Sequence, residues 1–416
     1  MSKTFKRPDR LGVYLDGTRV GQLGQPSRGP LVFAYDPEWI ANGYPLSPMN
    51  MEWNTNPQAA ADRTFRGLHG VFNDSLPDGW GLLLMDRFFR SEFGIARDEI
   101  THLDRLAYLG RRAMGALEFQ PEYETEPENE VIDLAGLYAN SQALLSGNTE
   151  EVVKQLRMAG GSPQGARPKI TLGLSEDSSL AITDFAPLPE GYEHWILKFR
   201  NQEEHRDTGA IEYAYAEIAR RAGLTVSETA LMHMHEGKTT ERFFCTRRFD
   251  RSGVTKVHMM TVSGIAYASH REPCLDYEDL LTATLNITNS AAEVERMALQ
   301  MVFNAMTLNR DDHAKNFAFL RQGGGWVLSP SYDLTYAPQG LGGQHTTSYS
   351  GSVNPRLRDI KNVCKGFPNL NPYDLIDGVY QAVAEWPALT KNLDINKNES
   401  NRIYKAMEAM AKQLNS

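Results

Sequence analysis

The stretch Leu308–Leu320, "LNRDDHAKNFAFL", sets two aspartates, a histidine, a lysine and an asparagine within the six positions Asp311 to Asn316. Upstream, Val294, Met297, Ala298, Met301, Val302, Ala305 and Leu308 recur at helical spacing, which predicts a helix with one buried face ending at Asn309. Downstream, "FAFL" and "WVLS" flank "RQGGG", which predicts a hairpin over Phe317 to Ser329 with a glycine-rich turn. A hairpin brings its outer ends together. Asp333, in "SPSYDLTYAP", is therefore expected to approach Asp311 and Asn316, although 22 residues separate the first from the last.

A carboxylate, an amide oxygen five residues on and a second carboxylate beyond a hairpin form the arrangement of phosphotransfer sites in protein-kinase-like enzymes. The Asp-x-x-x-x-Asn spacing selects Asp311 as the base, because Asp312 stands one residue short. Asn316 and Asp333 offer the hard oxygen ligands that suit Mg2+, and Lys315 could neutralise charge on a transferring phosphoryl group. The plainer reading is a polar turn after a helix, with His313 a hydrogen-bonded structural residue. A metal-hydrolase site built from Asp311, Asp312 and His313 is disfavoured, because the other nine histidines are dispersed along the chain.

Further parts lie upstream, in order. "AGGSPQGARPK", Ala159 to Lys169, has three glycines in seven residues and precedes a strand pattern, so it can turn backbone N–H groups toward phosphate oxygens. It matches neither of the two common glycine-rich nucleotide loops. Lys198 stands in the strand "HWILKF", His194 to Phe199, between apolar neighbours, and a buried lysine needs an anionic partner. An ATP phosphate and Glu212, near the start of the helix Ile211 to Leu224, would serve. A lysine snorkelling at a strand edge is the alternative. "ERFFCTRRFD" reads as a third strand, and this order is that of a small ATP-covering lobe.

At 416 residues, 41% of them apolar, the chain has room for two or three folding units. Asp16–Gly17 between "LGVYL" and "TRVGQL" predicts a hairpin. In "VFNDSLPDGWGLLLMDRFF", Ser75 or Asp78 is expected to cap a helix starting near Trp80. The acidic, proline-bearing "PEYETEPENE" suggests a boundary, and residues 131–158 read as helical. The divisions expected are 1–120, β-rich; 131–270, the glycine loop and ATP-binding lobe; and 271–416, mainly helical and catalytic. The net charge of −9 argues against a protein that binds nucleic acid unaided. No apolar run approaches the ~20 residues that cross a bilayer. Three scattered cysteines suggest no disulfide framework, so a reducing, cytoplasmic setting is expected.

With these residues in hand, the chain resembles the HipA family, serine/threonine kinase toxins of bacterial toxin–antitoxin modules. The resemblance runs over nearly the whole length, through "VYLDGTRVGQL", "FAYDPEWI", "FNDSLPDGWG", "GGSPQGARPK", "HWILKF", "RRFDR" and, most specifically, "DDHAKNFAFL" with "LSPSYDLTYAP". It implies an α+β, protein-kinase-related fold with a β-rich N-terminal subdomain, an ATP-binding lobe and an all-helical C-terminal subdomain. Asp311 matches the catalytic aspartate, Asn316 and Asp333 the Mg2+ ligands, and Lys198 the ATP-phosphate lysine. Gly165, Ala166 and Lys169 fall in the matching glycine loop, and Arg247, Arg248 and Phe249 in the segment whose backbone and ring hold adenine.

Ser162 falls where family members carry an autophosphorylated serine, although Pro163 directly follows it. A phosphate there would add up to about two negative charges, repelling ATP. No His-Arg-Asp precedes Asn316 in the Asp311 motif and no Asp-Phe-Gly is present, which fits this family rather than ordinary protein kinases. Asp312 stands where some relatives carry glycine, and its charge is expected to bear on metal affinity or on the base. The implied partners are a HipB-like helix-turn-helix antitoxin, DNA only through that antitoxin, and a protein substrate such as an aminoacyl-tRNA synthetase, with no membrane. Two other readings stand beside the kinase: a non-catalytic corepressor of such an antitoxin, and a small-molecule phosphotransferase.

Overall fold

The computed structural model describes residues 6–123, 129–145, 165, 167–177, 180–184, 187–236, 239–269, 272–340 and 342–415. Ser162 and Ala166 lie outside the described residues. The chain forms two compact units, one of residues 1–205, 233–260 and 264–267, the other of residues 206–232, 261–263 and 268–416. Among the described residues no helix is long and apolar enough to cross a membrane.

The first unit holds one five-stranded sheet and, apart from residues 229–232, a second. One runs β4-β3-β2-β1-β5, from β1 (Arg10–Leu15), β2 (Thr18–Gly24), β3 (Val32–Tyr35), β4 (Gln58–Ala59) and β5 (Leu117–Gln120). Alternation along β1 buries Leu11, Val13 and Leu15. Asp16 and Gly17 turn the β1–β2 hairpin with φ of 46° and 74°, the two positive angles that a type I′ turn requires. The helix His102–Leu109 packs on β1 and β5. Against its Tyr108 lie Phe88 and Phe89 of the helix Gly79–Phe93, with ring centroids 4.9 and 5.7 Å away. Burying each such ring contributes about 1.5–3 kcal/mol. Asp78 does occupy the N-cap of that helix, but its side chain makes no capping bond.

The second sheet runs β7-β6-β8-β10-β9, from β6 (Lys169–Ser175), β7 (Ala181–Thr183), β8 (Tyr192–Lys198), β9 (Thr229–Glu236) and β10 (Thr239–Arg247). Of residues 131–158, which the sequence predicts to be helical, 146–158 lie outside the described residues and Leu134–Leu145 form a helix. The segment before it instead lines the sheet: Val131 bridges Ile182, and Ile132 N–H donates to Ala181 O at 2.9 Å. An exposed strand edge offers unpaired backbone groups, which this segment satisfies.

The second unit is mainly helical and centred on the helix Ala291–Thr307. The periodicity predicts one buried face, but from Met297 onward nearly every side is covered, Gln300, Phe303, Asn304 and Met306 included. The helices Tyr277–Thr288, Pro372–Ala384 and Lys397–Leu414 surround it, so position in the core rather than amphipathicity sets its burial. The helix Thr208–Arg221, read from sequence as part of the ATP lobe, belongs to this unit. Its Tyr215 donates to the Thr307 carbonyl at 2.6 Å and meets Trp386 edge-on at 5.4 Å.

Candidate active site

In the second unit the central helix ends at Thr307, and Leu308 takes a left-handed conformation at φ 55°. The chain then runs irregularly to a one-turn 3-10 helix, Ala314–Asn316, capped by His313, whose Nδ1 accepts from Lys315 N–H at 3.3 Å. Asn316 turns its amide nitrogen back to the Asp311 carbonyl, Nδ2 to O 2.6 Å. The Oδ1 end of that amide is left as its acceptor. The Asp311 side chain is 59% exposed, with one carboxylate oxygen 3.7 Å from His313 Nε2. A base must reach a substrate hydroxyl, and an exposed carboxylate can.

The expected hairpin forms from Ala318–Gln322 and Gly325–Leu328, with Phe319 opposite Leu328, and Gly323 and Gly324 turning it at φ of 58° and 77°. Its outer ends meet. Ser329 N–H donates to Ala318 O at 2.9 Å, and Tyr332 donates its hydroxyl to the Lys315 carbonyl. Asp333 follows at once in the left-handed region, φ 51°, which costs a side-chain-bearing residue about 1–2 kcal/mol. Strain of this kind gathers at functional positions. Lys315 is buried, with 5% of its surface exposed.

Asp312 departs from expectation. Its carboxylate is buried at 1% exposure and takes four donors: Tyr277 Oη at 3.1 Å, His345 Nδ1 at 2.8 Å, and the N–H groups of Thr346 and Thr347 at 2.8 and 3.3 Å. Thr347 also donates its hydroxyl to the Asp312 carbonyl. A carboxylate so saturated is committed to internal hydrogen bonds. Burial, and then the Asp312 charge, hold the Tyr277 hydroxyl well above its usual range, so it donates at neutral pH. Among the described residues no three His, Cys, Asp or Glu side chains gather to hold a metal. The hydrolase reading of Asp311, Asp312 and His313 therefore finds no support.

In the first unit Lys169 and Lys198 stand directly opposite each other on the β6–β8 ladder, 4% and 9% exposed. Like charges across a ladder rung are unfavourable unless anions face them. Lys198 also lies over the Phe244 ring, 5.4 Å from its centroid, on the next strand. Gly165 has φ 110°, a backbone conformation that side-chain-bearing residues rarely adopt, and its Cα lies beside the Lys169 ammonium. Gly165 N–H donates to the Asp78 carboxylate and its carbonyl accepts from Trp80 N–H at 3.0 Å, which fixes the end of the glycine loop. Glu212 is buried in the helix Thr208–Arg221, in the other unit.

Of the adenine segment, Arg247 pairs with Glu193 at 2.8 Å. Arg248 is buried, bound bidentately by Asp250 at 2.9 and 2.8 Å and touching Asp184 at 3.2 Å. Asp184 also meets His194 Nδ1 at 2.7 Å. Asp250 accepts from Arg251 and from Gly115 N–H, each at 2.8 Å. Burial alone would raise the Asp250 carboxyl, yet Arg248 and Arg251 hold it well below the usual carboxylate range. The Arg248 side chain is thus structural, and a role beside a nucleotide falls to the backbone of its segment. Phe249 follows that arginine directly. Sequence reasoning passed over Asp184, Asp250, Tyr277 and His345. A polar residue amid apolar ones, as in "AITDF", was the available sign.

Residues 161–414 match the model of the HipA-like C-terminal domain and residues 11–120 that of the HipA N-terminal domain, so the chain belongs to the HipA family. It is 20% identical over 357 residues to the serine/threonine-protein kinase toxin HipA of Shewanella oneidensis, covering 78% of this chain and 74% of that protein. It is 25% identical over 218 residues to the Sinorhizobium fredii protein named "Putative kinase Y4dM", which takes in 48% of this chain and about half, 53%, of that one. The fold is similar to that in the solved complex of Shewanella oneidensis HipA, HipB and operator DNA, with a TM-score of 0.70 at 16% identity, over 97% of this chain and 96% of that.

Proposed function

We propose that this protein is an ATP- and Mg2+-dependent serine/threonine kinase of a toxin–antitoxin module. The observation that carries the reading is Asp311: an exposed carboxylate whose carbonyl is held by Asn316, ahead of a hairpin beyond whose far end Tyr332 reaches the Lys315 carbonyl and Asp333 takes a strained conformation. The amide oxygen of Asn316 and the carboxylate of Asp333 fit Mg2+ by donor type, two hard oxygens of the sort that complete a phosphate-bound magnesium site. When bound, the ion would neutralise phosphate charge. Asp311 accepts the proton of the attacking hydroxyl. Lys198 and Lys169, buried side by side, supply the positive charge that ATP phosphates require, and the backbone at Arg247–Phe249 holds the base.

The family and the Shewanella kinase toxin support a protein acceptor, and the solved complex supports a HipB-like antitoxin through which DNA is reached. Autophosphorylation at Ser162, a translational target such as an aminoacyl-tRNA synthetase and action in the cytoplasm extend the same reading. The test is phosphate transfer from labelled Mg·ATP to the protein itself and to candidate acceptors, beside Asp311→Ala. A general base contributes about 10²–10⁴-fold, so the variant should lose that much turnover. Equal incorporation by both proteins would remove Asp311 from the chemistry. ATP binding with no transfer to any acceptor would favour a non-catalytic corepressor.

A further inference from the structure

We propose that Asp312 is the positioning residue of this site, its buried carboxylate tying the Asp311–Asn316 segment to the 345–347 segment and so fixing the direction in which Asp311 faces. The proposal rests on the kinase reading for its consequence, but its geometry stands alone. Residues adjacent along an extended chain face opposite ways. Asp312 points inward at 1% exposure while the Asp311 side chain points outward at 59%. Whatever immobilises one therefore orients the other. No helix or strand does so here, because the residues between Leu308 and Ala314 lie outside both.

The anchor is well built. Two of the four donors are backbone N–H groups of consecutive residues, Thr346 and Thr347, and a third bond, Thr347 hydroxyl to Asp312 carbonyl, returns along the same pair. The other two donors are side chains with fixed surroundings. Tyr277 is fully buried, its ring 4.6 Å from Tyr349 and 5.9 Å from Phe317, and its hydroxyl accepts from Asn304 Nδ2 at 3.0 Å. His345, 1% exposed, turns Nδ1 to Asp312 and stands edge-on to Tyr349. On the Asp311 side, Asn316 bonds to the Asp311 carbonyl, and the preceding Arg310 donates to the Pro338 and Gly343 carbonyls, while its own carbonyl accepts from the Thr346 hydroxyl at 3.2 Å. Arg310 holds the segment at its start, so breaking the Asp312 anchor loosens the stretch between Arg310 and Asn316 from which the base projects.

The test compares Asp312→Asn, His345→Ala, His345→Gln and the milder Tyr277→Phe with the intact protein, reading the melting temperature, kcat and KM for ATP, and hydrogen exchange in the 308–320 peptide. A displacement of about 1 Å at a reacting group costs on the order of 10²-fold in rate. Asp312→Asn should lose turnover on that scale with KM for ATP little changed, and exchange in 308–320 should rise. His345→Gln, which keeps a donor, should recover much of what His345→Ala loses.

If Asp312→Asn does not fold, Tyr277→Phe carries the same comparison with a smaller loss. Variants that melt earlier yet keep full kcat and unchanged exchange at 308–320 would overturn the proposal while leaving the kinase reading intact. An intact protein that transfers no phosphate would overturn that reading, and the exchange measurement would then decide the anchoring role by itself.

Discussion

The two halves of the candidate chemistry are held in opposite ways. In the first unit the lysines sit on a regular ladder, Lys169 opposite Lys198, placed by strand register, and the same unit holds a buried ionic cluster of Asp184, Arg248, Asp250 and Arg251. In the second unit Asp311, Asn316 and Asp333 sit on irregular backbone, placed by side-chain hydrogen bonds from Asn316, Asp312 and Tyr332. Damage to the ionic cluster should therefore cost folding. Damage to the loop carboxylates should cost chemistry with the fold intact.

The sharpest way to break this contrast is Asp250→Asn. It leaves Arg248 and Arg251 without their shared carboxylate, and breaking a buried pair costs about 3–5 kcal/mol. Denaturant unfolding should show a loss of that size, whereas Asp311→Ala should stay within about 0.5 kcal/mol of the intact protein. The pH dependence has a definite sign. The folded carboxyl of Asp250 lies below its unfolded value, so its contribution is present above about pH 4 and is lost as pH falls through the folded value. Asp250→Asn should flatten that part of the acid-unfolding curve. An unaltered curve would separate the cluster from the stability of its unit.

A smaller effect belongs to His69, fully buried against Phe33 and Phe72 with ring centroids 6.2 and 5.7 Å away. Burial lowers its pKa from 6.5 to about 4. The unfolded chain then binds a proton that the folded one refuses, so stability is full above about pH 6.5 and falls toward pH 4, by roughly 3 kcal/mol. His69→Phe should remove that slope from stability measured between those values, and a slope that persists would assign it elsewhere.

Smallest is Lys169→Met. Removing one of the two facing ammonium groups takes positive charge from the proposed phosphate site, so stabilisation of the protein by Mg·ATP, read as the shift in melting temperature on adding nucleotide, should shrink. A lower melting point without nucleotide would mean that the pair serves the fold.

Much of this was legible because it follows local rules. Asp16–Gly17 has few conformations compatible with two flanking strands. The glycines of "RQGGG" have few between "FAFL" and "WVLS", and that hairpin's two ends bring Lys315 against Tyr332, one residue from Asp333. The helix Thr208–Arg221 was visible, but its periodicity carries no record of which unit it groups with, and it clusters with the second. The anchoring of Asp312 was hidden for a related reason: along the chain it is a second charge beside Asp311, and its partners Tyr277 and His345 lie 35 and 33 residues away.

By itself the sequence determined the hairpins, the central helix, the lysine-bearing strand and the family whose motifs stand in order along the chain. These depend on turn angles, on hydrophobic period and on residue spacing, all of which act within about twenty residues. Only the tertiary structure decided that Lys169 faces Lys198, that the Arg248 side chain is bound by Asp184 and Asp250, and that Asp312 turns inward while Asp311 turns out. A buried charge takes whatever partner the fold brings within about 3 Å, and that choice is made in space, not along the chain.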